Sequence, residues 1–136
     1  MNLIVNKLFL QIIIATWCAG LALVAQAAGL GAINVQSALG QPLSAEIVIT
    51  ALASDEFDEI KARIASADAY DDAKVRYLSI VRQIRINAER RTDGRAILKL
   101  SSNAPINEPL LELLVEFTWR SGQLVQKYSI LLDPAK

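Results

Sequence analysis

Between Leu111 and Trp119 apolar and polar side chains alternate. Leu111, Leu113, Val115, Phe117 and Trp119 fall on one parity, and Glu112, Leu114, Glu116 and Thr118 on the other. A period of two places the first set on one face of a β-strand and the second on the opposite face. Residues 120–123, Arg-Ser-Gly-Gln, interrupt the pattern, and a second extended run follows over residues 124–132. The stretch predicts a β-hairpin with one apolar, aromatic-bearing face. Two strands alone are marginal in water, so upstream residues must supply a second layer over that face.

Upstream, Leu43, Ala45, Ile47 and Ile49 alternate with Ser44, Glu46, Val48 and Thr50, and a shorter strand is expected over residues 32–37 around Ile33 and Val35. Gly40 and Pro42 mark a turn between them, with Pro42 where a missing N–H costs least. Near Ser54 the period changes. Ser54 as N-cap, Asp55 and Glu56 in the first turn, and Phe57, Ile60 and Ile64 at helical spacing predict an amphipathic helix over residues 55–65, with Glu59 and Arg63 as an i,i+4 pair. Residues 66–74 read as a short helical or irregular link anchored by Tyr70. Strands are expected again at 75–78, at 83–90 with Ile84, Ile86 and Ala88 on one face, and at 96–101, where Leu98 and Leu100 join the same core. Asp93-Gly94 between the last two predicts a type I′ hairpin. Residues 102–109, with Pro105 and Pro109, read as a loop. Seven short strands, one helix inserted between the second and third, and no βαβ rhythm predict a mostly β, immunoglobulin-like antiparallel sandwich, with a small β-barrel as the alternative.

The first 27 residues have a different character. Lys7 is their only charge, residues 8–24 are apolar, and Ala25-Gln26-Ala27 offers a small-x-small site. These are the parts of a secretory signal peptide, with cleavage expected between Ala27 and Ala28 and a mature periplasmic domain over residues 28–136. The apolar run is also long enough to cross a hydrocarbon core of about 30 Å, so an uncleaved inner-membrane anchor is the alternative. The chain's one cysteine, Cys18, lies in this run behind Trp17 rather than behind the small residue of a lipoprotein signal. The mature chain then has no thiol for a disulfide or a metal, and no cofactor is expected. Loss of Lys7 turns 14 basic and 14 acidic residues into a net charge of −1. Such balance provides no strong field toward nucleic acid or an anionic membrane, and no second apolar run is long enough to span one.

Three constellations are candidates for chemistry. Asp55, Glu56, Asp58, Glu59, Asp68, Asp71 and Asp72 form an acidic group, but their spacing matches no calcium loop, and helix starts attract acids on electrostatic grounds. Arg82, Arg85, Arg90, Arg91, Arg95 and Lys99 gather around the Asp93-Gly94 hairpin. Arg90, Arg91, Arg95 and Lys99 are the candidate interaction surface, able to meet carboxylates of a partner or of the cell wall; a charged edge that discourages strand aggregation is the simpler reading. Phe117, Trp119, Tyr128, Phe57 and Tyr70 would stack on glycan only if exposed, and the alternation places Phe117 and Trp119 in the core. Histidine is absent. Without it, and without a motif around any serine, no nucleophile is equipped, and the chain reads as a non-enzyme.

Residues 35–47, Val-Gln-Ser-Ala-Leu-Gly-Gln-Pro-Leu-Ser-Ala-Glu-Ile, resemble the opening of the periplasmic N-terminal domain of the FimV/TspA/HubP family of polar hub proteins. The resemblance continues through residues 89–95, 107–109 and 113–116, and closes with Trp119-Arg120-Ser121-Gly122-Gln123-Leu124-Val125 and residues 128–134. It implies a non-enzymatic scaffold role in type IV pilus assembly, twitching motility or cell-pole organisation. The partners implied are periplasmic or inner-membrane proteins of that machinery. Direct binding to cell-wall peptidoglycan is the alternative, although the LysM module that family members carry further along is not in this sequence.

Overall fold

The computed structural model describes residues 5–12 and 28–135. The expected cleavage site begins at Ala27, which lies outside the described residues, as does Cys18. Residues 5–12 are helical, and no described helix is long and apolar enough to cross a membrane.

Among the described residues seven strands make two antiparallel sheets. The first contains β1 (Gly29–Val35), β2 (Pro42–Thr50), β4 (Ile84–Arg90) and β5 (Ala96–Pro105), in the order β1-β2-β5-β4. The second contains β3 (Lys61–Ile64), β6 (Leu110–Trp119) and β7 (Gly122–Leu131), in the order β3-β6-β7. This is a sandwich, and neither sheet closes into the barrel of the alternative. The alternation read in the sequence sets the two inner faces. Leu43, Ala45, Ile47, Leu98 and Leu100 from one sheet meet Leu111, Leu113, Val115 and Phe117 from the other, all buried. Ile86 packs partly buried against the same core, while Ala88 is exposed near the strand end.

Four local expectations are corrected. The helix over residues 55–65 is absent: one 3-10 turn, Phe57–Glu59, leads into β3. Pairing with β6 overrides the helical spacing, because as a strand Ala62 and Ile64 sit opposite Phe117 and Val115 and bury the same apolar atoms. Arg63 then pairs with Glu116 across the strands, and Glu59 with Arg120, so the expected Glu59–Arg63 pair does not form. Residues 75–78 are irregular, with Val75 buried, so the inserted helix falls between the third and fourth strands rather than the second and third. Gly94 alone has positive φ in its hairpin, at 87°. The Arg91–Gly94 turn bond and the Arg91–Arg95 pair make a three-residue loop with a glycine bulge in place of a type I′ turn. Finally, β5 runs on to Pro105, taking in half of the expected loop.

The helix that does form is Ala67–Asp72. Ser66 caps it by accepting from the Ala69 N–H at 3.3 Å. At its other end Val75 N–H reaches the Tyr70 carbonyl and Lys74 N–H the Asp71 carbonyl, a Schellman closure. That closure holds Lys74 at φ 56°, a position that favours glycine. Lys74→Gly is therefore expected to stabilise the fold by about 0.5–1 kcal/mol, read as a higher midpoint in urea with an unchanged slope.

Tyr70, fully buried on this helix, replaces a missing strand. Past Ala65 the chain leaves β6, and the Tyr70 hydroxyl takes over. It accepts from the Leu114 N–H at 2.9 Å and donates to the Glu112 carbonyl at 3.2 Å. Burial pushes this phenol above its ordinary pKa.

Candidate interaction surfaces

The basic residues singled out in the sequence separate into different environments. Arg90 lies over the Phe57 ring, 4.7 Å from its centroid, and donates to the Ser54 carbonyl at 3.1 Å. It therefore fastens the 54–57 segment to the end of β4. Arg91 crosses β5 on the outer face of the first sheet and pairs with Glu46 of β2. Arg95 stays within its own turn, its Nε donating to Asp93 at 2.8 Å, and that contact lowers the Asp93 pKa from its ordinary value. Lys99 is exposed on the same outer face, between Glu46 on β2 and Asn87 on β4.

Arg91, Arg95 and Lys99 thus share one face, and Arg90 does not belong with them. Arg91, Arg95, Glu46, Asn34 and Val48 line a depression of ≈ 250 Å³ there. Its floor is Ile97, 3% exposed yet on the outer parity of β5, opposite that of Leu98 and Leu100. Ile97 lies between Val48 of β2 and Glu89 of β4 in the sheet. Glu46, the residue that draws Arg91 across the sheet, was readable only as one polar position of β2.

The acidic group is also divided. Asp55 and Glu59 both bind Arg120 in the β6–β7 turn, at 3.1 Å and 2.8 Å. The Arg120 hydrogen bond holds the Glu59 carboxyl below its ordinary pKa. Asp68 lies in the first turn of the helix that contains Tyr70. Among the described residues no group of three or more His, Cys, Asp or Glu side chains could hold a metal ion. Sequence spacing offered no sign of the Arg120 clamp, since its partners are separated from it by 61 and 65 positions.

The aromatic set is largely internal. Phe117 is fully buried and stacks on the partly buried Trp119 at 5.3 Å and 26°. The indole lies over Gly122, its cross-strand partner, where an added Cβ would come within 2.8 Å of the ring. Phe117 is thereby closed to sugar stacking, and the indole is engaged by Phe117 and Gly122. Tyr128 is 7% exposed, and its hydroxyl donates to the Gly31 carbonyl of β1 at 2.6 Å. Burial raises this phenol to about 12. A depression of ≈ 460 Å³ lies on the outer face of the second sheet among Lys61, Arg63, Glu116, Thr118, Gln123 and Val125.

Residues 28–135, the whole sandwich, match the family model described as the FimV N-terminal domain, an Ig-like domain. The chain belongs to this family. Two relatives named "Motility hub protein FimV", from Pseudomonas aeruginosa strains PAO1 and UCBPP-PA14, are each 33% identical to it over 106 residues. These matches cover 78% of the chain and 12% of each relative, so the chain spans about an eighth of their length. Among solved structures, the BIgI domain of beta protein from S. agalactiae, bound to CEACAM1, is 13% identical, with a TM-score of 0.42 over 81% of this chain and all of that one. The FimV N-terminal domain is therefore the two-sheet body described above, with Arg91, Arg95 and Lys99 on the outer face of its first sheet.

Proposed function

We propose that this FimV N-terminal domain is an exported, non-enzymatic docking module for protein partners of the cell envelope, working in type IV pilus assembly, twitching motility or cell-pole organisation. The observation that carries this reading is the family match across all seven strands, together with relatives named as motility hubs. The start of the match at Ala28 supports a leader removed after Ala27 and a periplasmic domain.

Arg91, Arg95 and Lys99 form the docking face in this reading. Arg91 and Arg95 line a shallow depression floored by Ile97, with Lys99 on the same face beside Glu46, a surface suited to an acidic loop of a protein partner. To test it, the exported chain is immobilised beside an Arg91→Gln, Arg95→Gln, Lys99→Gln variant, and each is exposed to envelope extract. Capture of an inner-membrane or periplasmic pilus protein by the unaltered chain, at least tenfold reduced in the variant, is the expected result; ~1.4 kcal/mol is enough for that factor. Equal capture by both would move docking off this face. Capture of no envelope protein above a surface-scrambled control would overturn the reading itself.

A further inference from the structure

Residues 51–60 carry the chain from β2 in the first sheet to β3 in the second, and they are held differently from the rest of the body. None of the ten is buried, although Leu52, Glu56, Phe57 and Ile60 are partly so. Their backbone bonds run from the Glu56 N–H to the Ala53 carbonyl, from Glu59 to Glu56 and from Ile60 to Phe57, so each closes within the segment. Among the described residues no backbone bond joins the segment to a neighbouring element. Two arginines tie it down from outside, one from each sheet. Arg90, at the end of β4, holds Ser54 and Phe57. Arg120, in the β6–β7 turn, grips both oxygens of Glu59 at 2.8 Å and one of Asp55 at 3.1 Å.

Two features oppose this closure. Ala51, where the segment leaves β2, is held at φ 53°, a left-handed conformation that its Cβ disfavours. Glu56 Oε2 is shut off from water with no hydrogen-bond partner, so its lost hydration is uncompensated. Against these stand surface ion pairs. The Arg120, Asp55 and Glu59 side chains are 50%, 69% and 47% exposed, and pairs of that kind contribute little and weaken as salt rises.

We propose that residues 51–60 form a strap that opens locally while both sheets stay folded, turning on Ala51, with Arg120 as its latch. Opening relaxes the Ala51 backbone, returns Glu56 to water and bares the Phe57 ring. It also uncovers the end of the first sheet at Ile49 and Ala96, which share a depression of ≈ 210 Å³ with strap residues Ala51, Leu52, Ala53 and Ser54. β3 stays on β6, because its four ladder pairs lie beyond Ile60. The strap is inferred from its own ties and not from the docking face, so either can fail without the other.

Limited digestion of the exported chain with chymotrypsin tests it, with a small peptide substrate correcting for the protease's own response to salt. A folded protein is cut through its open population, so the rate reads the opening. The first cut within residues 28–135 is expected at Leu52 or Phe57, and the nicked product keeps its β circular dichroism. The rate should rise several-fold between about 0.01 M and 1 M sodium chloride, over which the Debye length falls from about 30 Å to about 3 Å. Arg120→Gln is expected to be cut about fivefold faster at low salt and to lose most of the salt dependence. Glu56→Gln, which removes the uncompensated charge, should be cut more slowly than the unaltered chain. Lys127→Gln breaks the surface pair with Glu112, away from the strap, and should leave the rate unchanged. A first cut outside residues 51–60 overturns the proposal, as does a rate indifferent to salt in the unaltered chain. So does an Arg120→Gln chain cut no faster than Lys127→Gln, or a Glu56→Gln chain cut faster than the unaltered one.

Discussion

Phe117→Ala is expected to destabilise the sandwich by about 3–5 kcal/mol, a fifth or more of the roughly 5–15 kcal/mol that holds a domain of this kind together. Phe117 is fully buried on the middle strand of its sheet, between Ala62 of β3 and Leu124 of β7, with Trp119 stacked on its ring. Neighbours on both sides are pinned by ladder pairing, so the space left by the ring closes poorly. Chemical denaturation of the two proteins, fitted with a common slope, measures the loss. Thr118→Ala, one position along and exposed, is the control and should stay within about 0.5 kcal/mol. A loss near 1 kcal/mol for Phe117→Ala would mean that the two sheets are packed more loosely than described.

Tyr70→Phe is expected to cost about 1–3 kcal/mol although it removes a single oxygen. That oxygen serves the Leu114 N–H and the Glu112 carbonyl where β3 has left the β6 edge. Phenylalanine keeps the ring, its packing and its edge contact with Tyr77 at 4.9 Å. Any loss therefore reports the two backbone groups. At about 4–8 °C per kcal/mol for a domain near this size, thermal unfolding resolves it easily. Amide exchange at Leu114 should accelerate more than at Leu113, whose backbone faces β7. An unchanged midpoint would show that water reaches those groups and that the tyrosine is only a space-filler.

The hairpin at the C-terminal end was legible because its alternation and its break agree: nine residues of period two, a turn, then a return. The strand at residues 43–50 was readable for the same reason. β3 was not, because Phe57, Ile60 and Ile64 fit a helix as well as Ala62 and Ile64 fit a strand, and only the vacant edge of β6 decides between them. The glycine bulge at Gly94 was missed because Asp-Gly serves two hairpin geometries, and the backbone bonds between Arg91 and Gly94 and between Arg91 and Arg95 close a loop one residue longer. On the surface, charge was readable but partnership was not. Arg90 looked like Arg91, yet one fastens the 54–57 segment through Phe57 and Ser54 and the other spans a strand to reach Glu46. Contacts of that kind join residues tens of positions apart, and no local pattern announces them.

The first and last strands of the domain run in the same direction. Gly31 lies beside Tyr128, and eight residues later the Leu39 N–H meets the Asp133 carbonyl at 2.8 Å, within a parallel bridge between Leu39 and Pro134. Ala28 and Pro134 therefore lie toward opposite ends of the body, and tension applied between them slides β1 and β7 past one another instead of peeling them apart. The Tyr128 hydroxyl and the Leu39 amide would bear that load together. A pull applied along the body would meet the domain in its stiffer direction.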